Sequence, residues 1–116
     1  MGLRHWLILI FMIIAACNTS SQYTAICEEA ANSTHLEIEQ NLVNRRLIWH
    51  TTVSDVVFTN EGDYLVFIQN DSIQVNYVPK EIAIELHKGD PFNFIGTITK
   101  FNERCFGEVE FNELNQ

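Results

Sequence analysis

The chain has 116 residues, 15 acidic and 7 basic, with a formal charge of −8. That length supports one domain of ordinary size. An acidic balance of this kind repels phosphate backbones, so nucleic acid is excluded as an expected partner. Plain solubility or a cationic protein partner remains as its meaning.

The N-terminal stretch is a short basic start, Arg4-His5, followed by an unbroken apolar run of 11 residues from Trp6 to Ala16. A membrane-spanning helix needs about 20 apolar residues. The run is too short to span and has the length of a signal-peptide core. The alternative, a buried helix or strand, fits poorly, because the run has no polar face. It stops at Ile14-Ala15-Ala16-Cys17, which resembles the bacterial lipobox: an apolar position, two small ones and a cysteine. The resemblance implies that residues 1–16 are removed. The Cys17 thiol then carries a diacylglyceryl group, usually with acylation of the new N-terminus. One acyl chain holds a protein to a membrane only marginally, whereas two or three hold it stably. Asn18, which is not Asp, implies the periplasmic face of the outer membrane if the source is Gram-negative. Cleavage also removes Arg4 and leaves six basic and fifteen acidic residues, a formal −9.

Of three cysteines, Cys27 and Cys105 remain once Cys17 is lipidated. An exported compartment is oxidising, and a bridge between them would tie the start of the domain to its last strand. Two separate buried thiols are the alternative, since spacing alone does not bring two Cα atoms within bridging distance.

The polar residues 18–25 read as a flexible tether of about 16 Å r.m.s. length, and residues 26–116 as the folded domain. From Ile26 to about Asn44 a partly helical segment is expected. Its apolar face comes from Ala30, Ala31, Leu36, Ile38, Leu42 and Val43, and Asn32-Ser33-Thr34 breaks or caps it. Glu37 and Glu39 suit a helix N-terminus. From Arg46 the period becomes two. Leu47, Trp49, Thr51 and Val53 share a phase that slips before Val56 and Phe58, the mark of a bulge. A turn at 60–63 leads to a second strand, Tyr64–Ile68, and a turn at Asn70-Asp71 to a third, Ser72–Val78, with Ile73, Val75 and Tyr77 in phase. Pro79 ends that strand and opens a short helix over Lys80–His87, which Gly89 terminates. Phe92, Phe94, Gly96 and Ile98 share a face of the fourth strand. Cys105, Gly107, Val109 and Phe111 share a face of the fifth.

Three meandering strands, a short helix and two strands match the OB-fold, a five-stranded Greek-key barrel. The stretch Gly89-Asp90-Pro91-Phe92-Asn93-Phe94-Ile95-Gly96-Thr97-Ile98 resembles the helix-to-strand signature of small bacterial exported OB-fold proteins, the family described as tRNA-anticodon-binding-like. The resemblance covers roughly residues 45–114 and implies fold ancestry. The rival folds are a small antiparallel sandwich and the eight-stranded barrel of lipoprotein lysozyme inhibitors, but five strands are visible here. The fold class expected is therefore mainly β, an OB-like barrel with an N-terminal helix and a short helix between strands three and four.

Little in the chain carries chemistry. His35, His50 and His87 lack the spacing of a metal pair. The serines sit in no nucleophile elbow, and no phosphate-binding glycine loop or cofactor motif is present. Glu108 and Glu110 alternate with Val109 and Phe111, as on the wet face of an edge strand. OB barrels bind across strands two and three, where Tyr64, Phe67, Gln69, Gln74 and Asn76 mix aromatic and amide groups suited to a peptide, a sugar or another protein. The expected function is non-enzymatic: a lipid-anchored envelope protein that binds a protein or small envelope ligand. An inhibitor, immunity or phage-exclusion lipoprotein acting on a cationic enzyme or receptor is the alternative.

Overall fold

The computed structural model describes residues 22–115. Cys17, the apolar run before it and residues 18–21 lie outside the described residues. Five strands, β1 (Arg46–Phe58), β2 (Tyr64–Ile68), β3 (Ile73–Asn76), β4 (Pro91–Phe101) and β5 (Gly107–Leu114), close into a barrel in the order β1-β2-β3-β5-β4. Neighbours run antiparallel except β3 and β5, which are parallel. A helix over residues 22–31, α1, and a second, α2 (His35–Asn41), precede the barrel. A third, α3 (Lys80–Ala83), joins β3 to β4. The fold is the OB-like barrel that the order of elements predicts.

The long first strand closes the barrel because it serves two neighbours. Its first half, Arg46–Thr52, pairs with β4, and its second half, from Val53, pairs with β2. The register slips between Val53 and Asp55. One extra residue there re-aims the strand, so inward positions run Leu47, Trp49, Thr51, Val53 and then Val56. On β4, Phe92, Phe94, Gly96 and Ile98 all point inward. Gly96 is required by close approach: a Cβ there would lie 2.6 Å from Val109 Cγ1 and 2.7 Å from Phe94 Cε2. Its carbonyl accepts the Trp49 indole N–H at 3.3 Å. The core joins these rings to Val66, Ile68, Ile73, Val75, Val109 and Phe111 of the other strands, and no polar or charged residue is buried among the described residues.

Several elements differ from the sequence reading. Residues 22–25, read as tether, are helical and continue into α1. Tyr23, Ile26, Cys27 and Ala30 form one apolar stripe, with Ile26 and Ala30 buried in the core and Tyr23 and Cys27 packed against it. The break at Asn32-Ser33-Thr34 is present, and Thr34 is an N-cap with a full capping box. The Thr34 N–H donates to Glu37 Oε1 at 2.9 Å, and the Glu37 N–H donates to Thr34 Oγ1 at 3.2 Å. The bond from the Thr34 N–H favours the carboxylate form and lowers the Glu37 pKa. Helix α3 stops four residues short of His87. Beyond Ala83 the chain turns, with the Asp90 carboxylate accepting the His87 N–H at 2.8 Å. Gly89, at φ +93°, then donates back to the Val53 carbonyl.

Strand β3 ends one residue before Tyr77, which was expected on the inner face with Ile73 and Val75. Tyr77 adopts φ +63° and is 71% exposed, and Val78 takes the buried place. Strand β5 starts at Gly107, so Cys105 sits in the β4–β5 turn at φ +68° and not in the strand. Because β5 pairs with both β3 and β4, it is an interior strand of the barrel and not the edge strand read from Glu108 and Glu110.

Candidate functional site

The outer face of the barrel is set by register. Phe67 stands opposite Gln74 across β2 and β3, Gln74 opposite Glu108 across β3 and β5, and Lys100 opposite Glu108 across β4 and β5. All four are outward positions, because their strand neighbours Val66, Val75, Val109 and Phe101 are buried. The β4–β5 turn and helix α2 complete a groove of about 480 Å³, lined among others by His35, Glu39, Phe67, Gln74, Phe106 and Glu108.

The turn presents Phe106, which is 52% exposed. Its shape is fixed locally: Asn102 Oδ1 accepts the Arg104 N–H at 2.9 Å and the Phe106 N–H at 3.1 Å. It is fixed globally by α1. Cys27 and Cys105 form a disulfide with a Cα–Cα distance of 5.1 Å. The Ser72 hydroxyl donates to the Gln69 carbonyl at 2.7 Å, so the single Tyr23 O–H is shared between two acceptors, Ser72 Oγ at 2.9 Å and the Cys105 carbonyl at 3.1 Å. An exposed aromatic on a braced turn loses little entropy when a partner covers it.

A polar cluster spans the outer face of β3, β5 and β4. Asn76 Nδ2 and Gln74 Nε2 donate to Glu108 Oε1 at 3.0 and 3.3 Å, and Lys100 Nζ pairs with Glu108 Oε2 at 3.3 Å. Gln74 Nε2 also donates to Asn76 Oδ1 at 2.7 Å. The Asn76 bond first, and Lys100 second, hold the Glu108 carboxyl below its ordinary value against partial burial. A carboxylate with these donors is an anchored acceptor, not a general base. A pH prediction follows from its direction. The stabilisation from Glu108 is complete above the ordinary value of 4.5 and is lost as pH falls through the lower folded value. Glu108→Gln is therefore expected to cost about 1 kcal/mol at neutral pH. The gap to the unaltered chain closes below pH 4.5. Denaturant titrations at neutral pH and at about pH 3 measure it.

Of the residues predicted from sequence, the structure brings Phe67, Gln74 and Asn76 together here. Tyr64 lies elsewhere: it packs against the core with its ring 4.9 Å from that of Phe58. Gln69 sits at the β2–β3 turn on a different cavity. Phe106, Lys100 and Glu108 were missed as site residues, since strand pairing across the barrel is what brings them to Phe67 and Gln74. Among the described residues no group of three or more His, Cys, Asp or Glu is placed to hold a metal ion, and no helix is long and apolar enough to cross a membrane.

The chain matches no family model and no curated protein. Among solved structures it is similar to the crystal structure of a protein from Leishmania major Friedlin assigned as an aspartyl-tRNA synthetase. The TM-score is 0.48 and the identity 14%, over 67% of this chain and 19% of that one.

Proposed function

We propose that the protein is a non-enzymatic binding module of the cell envelope, held to a membrane by lipid on Cys17, that presents the Phe67–Phe106 groove to a protein partner. The observation that carries the reading is the exposed Phe106 on a disulfide-braced turn, lining one groove with Phe67, Gln74 and Glu108. An aromatic anchor ringed by satisfied polar groups is what a protein interface uses. The Cys27–Cys105 bridge supports an oxidising, exported compartment. The apolar run ending at Cys17 supports the anchor, and Asn18 supports the outer membrane's periplasmic face in a Gram-negative cell.

A photocrosslinking residue at position 106 of the full chain, in its own membranes, tests the groove. The expected result is one dominant adduct that weakens at least tenfold when Phe67→Ala is added, with folding unchanged. Equal crosslinking with and without Phe67→Ala would contradict the reading.

The acidic groove favours a second, narrower version. Glu39, Asp71 and Glu108 line it against Lys100, and the mature chain carries −9. Such a surface fits an inhibitor or immunity protein that blocks a cationic envelope enzyme or receptor. Its complex weakens as salt shortens the Debye length from about 10 Å at 0.1 M to about 3 Å at 1 M. A salt-insensitive complex would rule out this version and leave the broader one standing.

A further inference from the structure

The side of the barrel away from the groove has a different chemistry. In the ring β1-β2-β3-β5-β4, the ladder between β1 and β4 lies opposite β3, and so opposite the Phe67–Phe106 groove. Its register pairs Ile48 with Ile95, His50 with Asn93 and Arg46 with Thr97. These are outward positions, because Trp49 and Phe94 between them are buried. Ile48 is exposed, and Ile95 is half-buried beside it.

The polar groups around the two isoleucines bond to one another. His50 Nδ1 and Asn93 Oδ1 lie 3.2 Å apart, and Arg46 Nη2 donates to Glu113 Oε1 at 3.3 Å. Arg46 is the one formally charged residue at these six positions, and Glu113 cancels it. The face therefore has no net charge, in a mature chain of −9. The groove side, by contrast, carries Glu39, Asp71 and Glu108 against Lys100.

The chain leaves the domain beside this face. Gln22, where α1 begins, shares a small crevice with Ile48 and His50. Cys17 is five residues earlier, and five residues span at most about 18 Å. Strand β4 alone, with 11 residues, is about 35 Å long. A leash half as long as the domain keeps the surface around Gln22 close to whatever holds Cys17.

We propose that the Ile48–Ile95 face of the β1–β4 ladder rests on the lipid surface, so that the Phe67–Phe106 groove faces away from the bilayer. The inference rests on the reading of Cys17 as a lipid anchor. Two isoleucines leave water at little polar cost, since their neighbours are already paired. An acidic face held against anionic headgroups would be repelled, which sets the groove side outward.

The test uses the lipidated full chain, purified in detergent and returned to vesicles of phosphatidylethanolamine and phosphatidylglycerol. A photocrosslinking residue is placed at position 48 or, on the opposite face, at position 74. The expected result is a phospholipid adduct from position 48 about tenfold above that from position 74. Adding Ile95→Glu is expected to lower the adduct at position 48 about threefold or more, with the fold retained by circular dichroism. Equal phospholipid adducts at the two positions, or a stronger one at position 74, would overturn the proposal and leave the anchor standing. So would an adduct unchanged by Ile95→Glu, or a protein adduct in place of lipid from position 48 in native membranes. A chain that does not float with the vesicles overturns the anchor, and the proposal with it.

Discussion

Phe94→Ala is expected to cost about 3–5 kcal/mol, the range for removing a fully buried ring from a core. Phe94 has no exposed surface and sits at the centre of the barrel's aromatic stack. Its ring centroid lies 4.6 Å from Phe92, 6.0 Å from Phe111 and 6.1 Å from Trp49. Those partners come from β4 itself, β5 and β1, so the ring joins strands that β4 must hold on both sides. The space left behind cannot refill easily, because Gly96 next to it has no side chain to move inward. Small domains have about 5–15 kcal/mol in total, so this one change removes a large part. The denaturant midpoint should fall sharply with an unchanged slope. Phe106→Ala, on the exposed turn, is the control and should stay within about 0.5 kcal/mol. A loss below about 1 kcal/mol for Phe94→Ala would mean that the ring does not occupy the barrel interior.

Loss of the Cys27–Cys105 bridge is the second large effect. The cysteines are 78 residues apart, and the bridge encloses the whole barrel apart from β5. On chain entropy a loop of that length stabilises the fold by about 4–5 kcal/mol, and removal of native bridges in small exported domains typically costs about 2–5. The double change Cys27→Ser, Cys105→Ser is expected to fall in that range. Part of the cost is local. Ile26 and Ala30 of α1 are buried in the core, and without the bridge α1 is held by those contacts, by Tyr23 and by the Arg45–Glu29 pair at 3.2 Å, whose side chains are 38% and 40% exposed. Amide exchange should therefore accelerate first in α1 and in the β4–β5 turn, while the centre of β4 stays protected. Partner binding should weaken with it, since that turn carries Phe106. A melting temperature unchanged by reductant, with both thiols then free, would show that the bridge contributes nothing.

The barrel was legible in the sequence because strand period and turn chemistry carry local information. The slip in β1 shows in the shift from Leu47–Val53 to Val56, and the bounds of β2 follow from Asn60-Glu61-Gly62-Asp63 and Asn70-Asp71. The inner face of β4 is readable as Phe92, Phe94, Gly96 and Ile98. What escaped depends on single backbone angles or on distant pairing. Tyr77 keeps the inward phase in sequence, yet one left-handed residue turns it out. The start of α1 was hidden by the polar run Thr19-Ser20-Ser21-Gln22, although Tyr23, Ile26, Cys27 and Ala30 already stand at helical spacing. The groove was half legible: Phe67 and Gln74 lie on the strands where OB barrels bind, with Asn76 bonded to the groove's Glu108. Phe106, Lys100 and Glu108 join them only through the parallel β3–β5 pairing and its antiparallel neighbour β4, which no local pattern announces.

The central claim is that a bridged OB-like binding domain is anchored in the envelope through Cys17. An intact mass of the membrane-extracted protein, alkylated before and after reduction, tests it most directly. The account predicts a chain beginning at Cys17 with the mass of a diacylglyceryl group or more, and two further cysteines that alkylate only after reduction. A chain that begins at Met1, or thiols at Cys27 and Cys105 that alkylate without reduction, would contradict it.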